Sequence, residues 1–119
     1  MPKVKTEILA GKALDWAVAW CEEKGKSNRA APAFLDTFKP STDWSQGGPI
    51  LEREVISLNN NPSIYFEVAE DHKWVATYDD LRRPQVGSTM LIAGMRCYVA
   101  TTLGTEVDIP ETLLEGLQL

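Results

Sequence analysis

Residues 88–104 read STMLIAGMRCYVATTLG, and this stretch predicts one of the two main helices of the fold. Either of the two hydroxyl residues that open it is suited to cap a helix, because its oxygen accepts a hydrogen bond from a first-turn N–H. The helix is predicted to run from about Met90 to Leu103, and the closing Gly104 is expected to end it. Apolar side chains recur on one stripe, which we expect to be buried: Ile92, Met95, Val99 and Leu103.

A second helix is predicted from Leu9 to about Glu23, with Gly25 as its stop. Trp16 and Trp20 lie four residues apart and therefore share one face of this helix. They belong either to the core or to an interface between chains. Because two indoles on one helix exceed what a small core easily covers, the pair also favours a homo-oligomer.

Between the two helices, the composition favours strands. Residues 63–68 and 73–78 are rich in β-branched and aromatic side chains and are predicted to pair antiparallel. Ile50–Leu58 is a weaker strand prediction, followed by a turn at Asn59–Pro62. Asp79–Gly87 is predicted to be a loop.

These elements predict an α+β fold in one domain that comprises residues 1–119. Two main helices pack on an antiparallel sheet of three or more strands, and a short C-terminal helix begins near Asp108–Glu111. The proline in that segment suits a first helical turn, and the acidic residues suit the positive end of the helix dipole.

The charge and hydropathy of the chain exclude several classes of protein. The net charge is −5, so the average surface repels bare nucleic acid and nonspecific binding to it is not expected. No apolar run approaches the roughly 20 residues needed to cross a bilayer, and the N-terminus lacks the apolar stretch of a signal peptide. We therefore expect a cytoplasmic protein with no membrane partner.

No motif for catalysis, metal or a cofactor is found. The single histidine, His72, lies in a predicted turn, where a solvated side chain is the more common outcome. Cys21 and Cys97 have neither zinc-ligand nor redox spacing and are predicted to be buried thiols. No pair of carboxylates is placed by spacing alone for acid–base work. Catalytic residues, metal ligands and cofactors are therefore predicted to be absent.

The segment from Lys39 to Ile50, KPSTDWSQGGPI, is predicted to be a preordered binding loop. Prolines at both ends restrict its backbone, while Gly47 and Gly48 permit positive φ and let backbone N–H groups approach a ligand. The glycine pair has neither the lysine of a phosphate-binding P-loop nor dinucleotide-binding spacing, so it predicts a permissive backbone only.

Side chains in this loop could bind a nucleotide-like ligand. Trp44 could stack on a base while polar groups bind its edges; filling the core is an equally weighted alternative for this indole. The polar candidates are Ser41, Thr42 and Gln46. Asp43 either contacts the ligand or, about twice as often for such residues, forms a turn or helix cap.

Arginines are the candidate phosphate contacts. Arg82, Arg83 and Arg96 carry planar guanidinium groups that suit phosphate, although pairing with surplus carboxylates is the more common role of a surface arginine. Arg96 is expected to reach outward from its helix, and Arg82 to reach the ligand from a loop.

Three separated segments resemble, in order, the NinX-like family of small phage and prophage proteins: Leu9–Ala19, Pro40–Pro49 and Leu91–Ala100, followed by Leu103–Pro110. The resemblance implies a phage-encoded accessory protein that acts in the cytoplasm of an infected bacterium. It carries over no catalytic residues. Six residues are candidates because they lie in the matching segments and have side chains beyond what packing requires: Asp15, Ser41, Thr42, Trp44, Gln46 and Arg96.

The sequence thus leads to two functional hypotheses. The first is a noncatalytic protein that binds a small nucleotide-like ligand, as a sponge that sequesters a host immune signal and blocks defence. The second is an inhibitor or adaptor that docks on a host protein through the exposed part of the Trp16 and Trp20 face.

Overall fold

The computed structural model describes residues 2–22, 32–60, 73–78, 84–115 and 117. It has three α-helices: α1 (Gly11–Glu22), α2 (Trp44–Glu54) and α3 (Met90–Leu103). Its five strands are β1 (Lys3–Lys5), β2 (Ser57–Asn59), β3 (Trp74–Thr77), β4 (Gln85–Gly87) and β5 (Glu106–Asp108). Short 3-10 helices occupy Thr6–Ile8, Pro32–Asp36 and Glu111–Leu113, the last confirming the short C-terminal helix.

Helix α3 lies at the centre of the described fold and has the predicted bounds. The Thr89 hydroxyl accepts a hydrogen bond from the Ile92 N–H at 3.1 Å, and Gly104 ends the helix at φ +104°. The predicted one-sided stripe is wrong, because residues 93–100 are all buried while Ile92 and Leu103 are only partly so. A helix that packs on neighbours all around is expected to be apolar all around, and α3 contacts α1, α2 and strands β2, β3, β4 and β5.

Helix α1 confirms the predicted N-terminal helix and begins two residues after the predicted start. Trp16 is buried, and Trp20 is partly buried and packs against the same core. The two indole rings meet edge-to-face, with their centroids 5.1 Å apart. Both indoles therefore contact the chain's own core. The predicted burial of Cys21 and Cys97 is confirmed, and no disulfide joins them.

The strands form two antiparallel sheets, which confirms the α+β class. One sheet has the order β2-β3-β4, and the other pairs β1 with β5, with Val4 opposite Val107. Strand β3 confirms the strand predicted at residues 73–78. The predicted loop Asp79–Gly87 is wrong at its end, where Val86 in β4 pairs with Val75 in β3.

Helix α2 overturns two predictions. Residues 44–50, predicted as part of a loop, and residues 50–54, predicted as strand, form one helix, and strand structure begins only at Ser57. The helix tolerates Pro49 on an exposed face. Asp43 caps its start, and Val55, in the left-handed conformation at φ 55°, ends it. The glycines are therefore helical and do not form a flexible turn.

Gly47 is required by packing. A Cβ atom at this position would lie 2.3 Å from the Pro40 carbonyl oxygen and 2.7 Å from Leu91 Cδ2. The missing side chain thus lets α2 approach both the preceding turn and α3. Gly48 differs, since a Cβ there would meet only Trp44 Cε3, at an ordinary 3.5 Å.

Several predictions fall outside the described residues. These are the Gly25 stop, the strand at 63–68, the turn residues 61 and 62, His72, and the candidate phosphate contacts Arg82 and Arg83. They stay predictions.

The two neighbouring glycines provide a matched test of this packing. Gly47→Ala is expected to destabilise the protein by about 2 kcal/mol, because the new methyl group collides with backbone. Gly48→Ala is expected to keep or raise stability by up to about 1 kcal/mol, since alanine favours the helix. Urea denaturation of both variants measures the difference, and equal stabilities would contradict a tight α2 contact at Gly47.

Candidate functional site

The segment that leads into α2 is held by its own polar side chains. The Asp43 carboxylate accepts from the Ser45 N–H at 2.9 Å, the Ser45 hydroxyl at 2.7 Å and the Gln46 amide at 3.1 Å. The Gln46 amide also donates to the Thr37 carbonyl at 2.8 Å, and its oxygen accepts from the Lys39 N–H at 2.9 Å. The segment is therefore preordered as predicted, but by a helix cap.

A buried carboxylate fixes the same segment from below. Asp15, on α1, is 3% exposed and accepts a hydrogen bond from the Ser41 N–H at 2.9 Å. Burial raises the pKa of Asp15, and the backbone and side-chain hydrogen-bonding groups of Ser41 and the charge of Lys39 offset this only in part. The Ser41 hydroxyl faces the carboxylate but lacks the geometry of a full hydrogen bond. Asp15 thus holds the backbone and is closed to a ligand.

Trp44 is the exposed group of this segment. It is the first residue of α2 and is 53% exposed. The Cε3 atom of its ring lies beside Gly48. Of the two alternatives for this indole, a core position is wrong. Among the described residues, only Val55, at the other end of α2, is a comparably exposed large hydrophobic side chain.

The structure brings together part of the predicted ligand set. Six of its members lie in one segment at the start of α2: Ser41, Thr42, Asp43, Trp44, Gln46 and Gly47, with Gly48 one residue further on. Ser41 and Gly47 are buried, and the Asp43 and Gln46 side chains are occupied by the cap. Trp44 and Thr42 are the members left exposed.

The prediction that Arg96 reaches outward is wrong. Arg96 is 8% exposed and donates to the Leu9 carbonyl at 2.8 Å through Nε and to the Val86 carbonyl at 2.8 Å through Nη1. It therefore joins α3 to the chain entering α1 and to β4. These contacts give Arg96 a structural role.

Sequence reasoning missed a tyrosine network formed by Glu22, Arg53, Glu54, Tyr78 and Tyr98. The Arg53 guanidinium binds both Glu22 oxygens, at 3.1 and 2.7 Å, and binds Glu54 at 2.9 Å. The Tyr98 hydroxyl donates to Glu22 at 2.6 Å, and the Tyr78 hydroxyl donates to Glu54 at 3.2 Å. These residues come from α1, α2, α3 and the end of β3, so no local spacing could have revealed them.

The contacts of the network keep Glu22 charged and both tyrosines protonated at neutral pH. Burial and the neighbouring Glu22 carboxylate raise the pKa of Tyr98, and burial and Glu54 raise that of Tyr78. Burial by itself would raise the pKa of Glu22, but hydrogen bonds from Arg53 and Tyr98 lower it overall. Burial also raises the pKa of the nearby Cys21 thiol to about 12. The phenols and this thiol therefore stay protonated, which suits a structural junction between helices.

A separate surface cavity lies between the two sheets. It has a volume of about 220 Å³ and is lined by Lys5, Glu7, Gln85, Thr105 and Glu106. The side-chain oxygen of Gln85 is buried and has no hydrogen-bond partner among the residues that the structure describes. None of the predicted ligand residues lines this cavity. Across the part of the chain that the structure describes, no group of three or more His, Cys, Asp or Glu side chains is placed to hold a metal ion.

The family resemblance is confirmed by comparison with known families. The profile of the family described as Bacteriophage P22, NinX matches residues 5–102, most of the chain. The chain belongs to this phage family. In this NinX-family chain the matched range contains Asp15, Trp44, Arg96 and the tyrosine network and stops before β5. No curated protein matches the chain. None of the helices that the structure describes is long and apolar enough to span a bilayer.

Arg96 provides a stability test. Arg96→Ala is expected to destabilise the protein by about 3 kcal/mol, because the buried Leu9 carbonyl and the partly buried Val86 carbonyl both lose a charged donor. Lys12→Ala, which breaks an exposed ion pair to Asp36 at 3.5 Å, is the control and should change stability by less than about 0.5 kcal/mol. Denaturation curves that show similar stabilities for the two variants would contradict the bridging role of Arg96.

Asp15 and Asp43 predict opposite pH dependences. Because the folded-state pKa of Asp15 is raised above its ordinary value of 3.8, the protonated carboxyl stabilises the fold. This stabilisation is fully present below pH 3.8 and is lost as pH rises through the folded-state pKa. Asp15→Asn should therefore gain stability relative to wild type as pH rises above about 4.

The Asp43 carboxyl has a lowered pKa, chiefly because of the Ser45 side-chain hydrogen bond. Its contribution is present above 3.8 and is lost as pH falls, so Asp43→Asn should be less stable than wild type at neutral pH and approach it in acid. Thermal melts of the two variants from pH 3 to pH 7 measure both trends. The same slope for both variants would contradict these assignments.

Proposed function

We propose that this chain is a noncatalytic phage accessory protein that binds a small nucleotide-like ligand, with Trp44 as the stacking surface. In an infected bacterium, the ligand would be a nucleotide-like signal of host immunity. Binding would sequester that signal in the host cytoplasm and so block defence. The family supports the phage setting, and the exposed indole supports the binding mode.

The observation that carries the proposal is the exposure of Trp44 on a rigid support. A large aromatic side chain that is 53% exposed leaves much of its ring in water, and stacking with a base removes that surface at little entropic cost when the support is already ordered. The capping hydrogen bonds of Asp43 and Gln46 provide this order. Base–aromatic stacking contributes roughly 1–3 kcal/mol per base.

A host protein is the second candidate ligand. The polar side chains around Trp44 are largely occupied within the segment, so the surface offers an indole with few free hydrogen-bonding groups beside it. Exposed tryptophan is a typical centre of a protein interface. In this version α2 docks on a host enzyme as an inhibitor or adaptor. The Trp16 and Trp20 face is no longer favoured for this role, because Trp16 is buried.

Homo-oligomerisation stays part of the proposal. With Trp16 in the core, the indole N–H of Trp20 is the remaining feature of that face; it is buried and has no hydrogen-bond partner among the described residues. An oligomer would therefore use other surfaces, and a second Trp44 surface would let the assembly hold two ligands. Light scattering of the purified protein measures the number of copies.

Trp44→Ala is expected to abolish binding while the free energy of unfolding changes by less than about 0.5 kcal/mol, because the side chain is largely in water. Wild type and variant would be purified from infected cells that express a defence system. Small molecules released by heat would then be identified by mass spectrometry. A nucleotide released by wild type and not by the variant supports the proposal.

Val55→Ala is the matched control, since Val55 is 60% exposed at the opposite end of α2. It should release the same nucleotide as wild type. If the Trp44 variant also releases it, the stacking surface is wrong. A different result would favour the protein partner over the nucleotide. In that result, no nucleotide is released, and a host protein co-purifies in equal amount with wild type and Val55→Ala but not with the Trp44 variant.

A further inference from the structure

We propose that Lys39 binds the phosphate group of the ligand that stacks on Trp44, and that the ligand presents a single phosphate at this site. This inference rests on the proposed function and assigns the residue that recognises the anionic part of the ligand. It replaces Arg96 in that role, because the Arg96 guanidinium is buried and bound to two backbone carbonyls.

Lys39 is held beside the start of α2 by its own backbone. Its N–H donates to the Gln46 side-chain oxygen at 2.9 Å, and its carbonyl accepts from the Asp43 N–H at 2.9 Å. The residue is exposed, so its ammonium group can move through water while its backbone stays fixed. Its charge acts on the carboxyls of both Asp15 and Asp43, which places it next to the segment that carries Trp44.

The cations of α1 and α2 already have carboxylate partners. Lys12 pairs with Asp36 at 3.5 Å, and Arg53 pairs with Glu22 at 2.7 Å and with Glu54 at 2.9 Å. Within the ranges that the structure describes, Lys39 has no carboxylate oxygen within 4 Å of its ammonium group. A phosphate can therefore approach Lys39 without breaking an existing ion pair.

The neighbouring carboxylates compete weakly with a phosphate. The Asp43 oxygens accept three hydrogen bonds from Ser45 and Gln46, which stabilise the negative charge where it lies. Asp15 is buried under the segment and bound to the Ser41 N–H. One ammonium group provides one strong site for an anion, so a run of phosphates would gain little over a single phosphate.

The test compares adenosine with adenosine 5′-monophosphate, and guanosine with guanosine 5′-monophosphate, by calorimetry at low salt. Wild type should bind each monophosphate about tenfold more tightly than its nucleoside, as expected for one charge-assisted contact. Lys39→Gln should remove that difference and leave nucleoside binding unchanged. Lys12→Gln, an exposed lysine in an ion pair, is the matched control and should bind as wild type does. Adenosine 5′-triphosphate should bind no more than about twofold more tightly than the monophosphate.

The outcomes separate this inference from the proposed function. If Lys39→Gln keeps the full preference for the monophosphates, Lys39 is wrong while stacking on Trp44 stands. If nucleoside binding survives Trp44→Ala, the stacking surface itself is wrong. If wild type binds none of the four probes, both the stacking function and the Lys39 assignment are overturned. Circular dichroism of each variant shows that it is folded before binding is compared.

Discussion

The buried guanidinium of Arg96 joins three parts of the fold, one of which lies 87 residues away in sequence. From the middle of α3 it holds the Leu9 carbonyl just before α1 and the Val86 carbonyl in β4. A buried charge is costly unless it is fully hydrogen-bonded, so these contacts fix where α3 lies relative to α1 and the sheet. Once α3 is placed, Leu91 and Gly94 provide the surface against which α2 packs.

A second buried charge places the candidate site on this scaffold. Asp15 on α1 holds the Ser41 backbone, and Gly47 allows α2 to approach Pro40 and Leu91 without a side chain between them. Together with the Asp43 cap, these contacts leave Trp44 in water on a segment that has little freedom to move. The tightly packed face of α2 at this end is the one that carries Gly47, and the indole of Trp44 stays exposed.

The sequence predicted the helices with strong periodicity and clear caps, and it failed where long-range contacts outweigh local preference. Both ends of α3 were predicted, because the hydroxyl residues before Met90 mark its start and Gly104 marks its end. α2 was missed because two glycines and a proline within one helix cost several kcal/mol in propensity, and only contacts with Pro40 and Leu91 explain the glycine at 47.

The partners of Arg96 lie 87 and 10 residues away, so no local pattern could show that it is buried. Strands β1 and β5 have three residues each, too short for alternation to be recognised. For the candidate site, the sequence pointed to the segment at the start of α2. It could not show that the Asp43 and Gln46 side chains, which suggested ligand contacts, are hydrogen-bonded within that segment.

The four tryptophans provide a direct measurement of whether Trp44 is a binding surface, since each indole N–H gives one signal in a two-dimensional nitrogen–proton spectrum. The spectrum would be recorded before and after addition of the small molecules released by heat from phage-infected cells, with Trp44→Phe used to assign its signal. The Trp44 signal is expected to shift, while the signals of the buried Trp16 and the partly buried Trp20 stay in place. An unchanged Trp44 signal together with shifts at Trp16 or Trp20 would contradict this expectation and would move the site to α1.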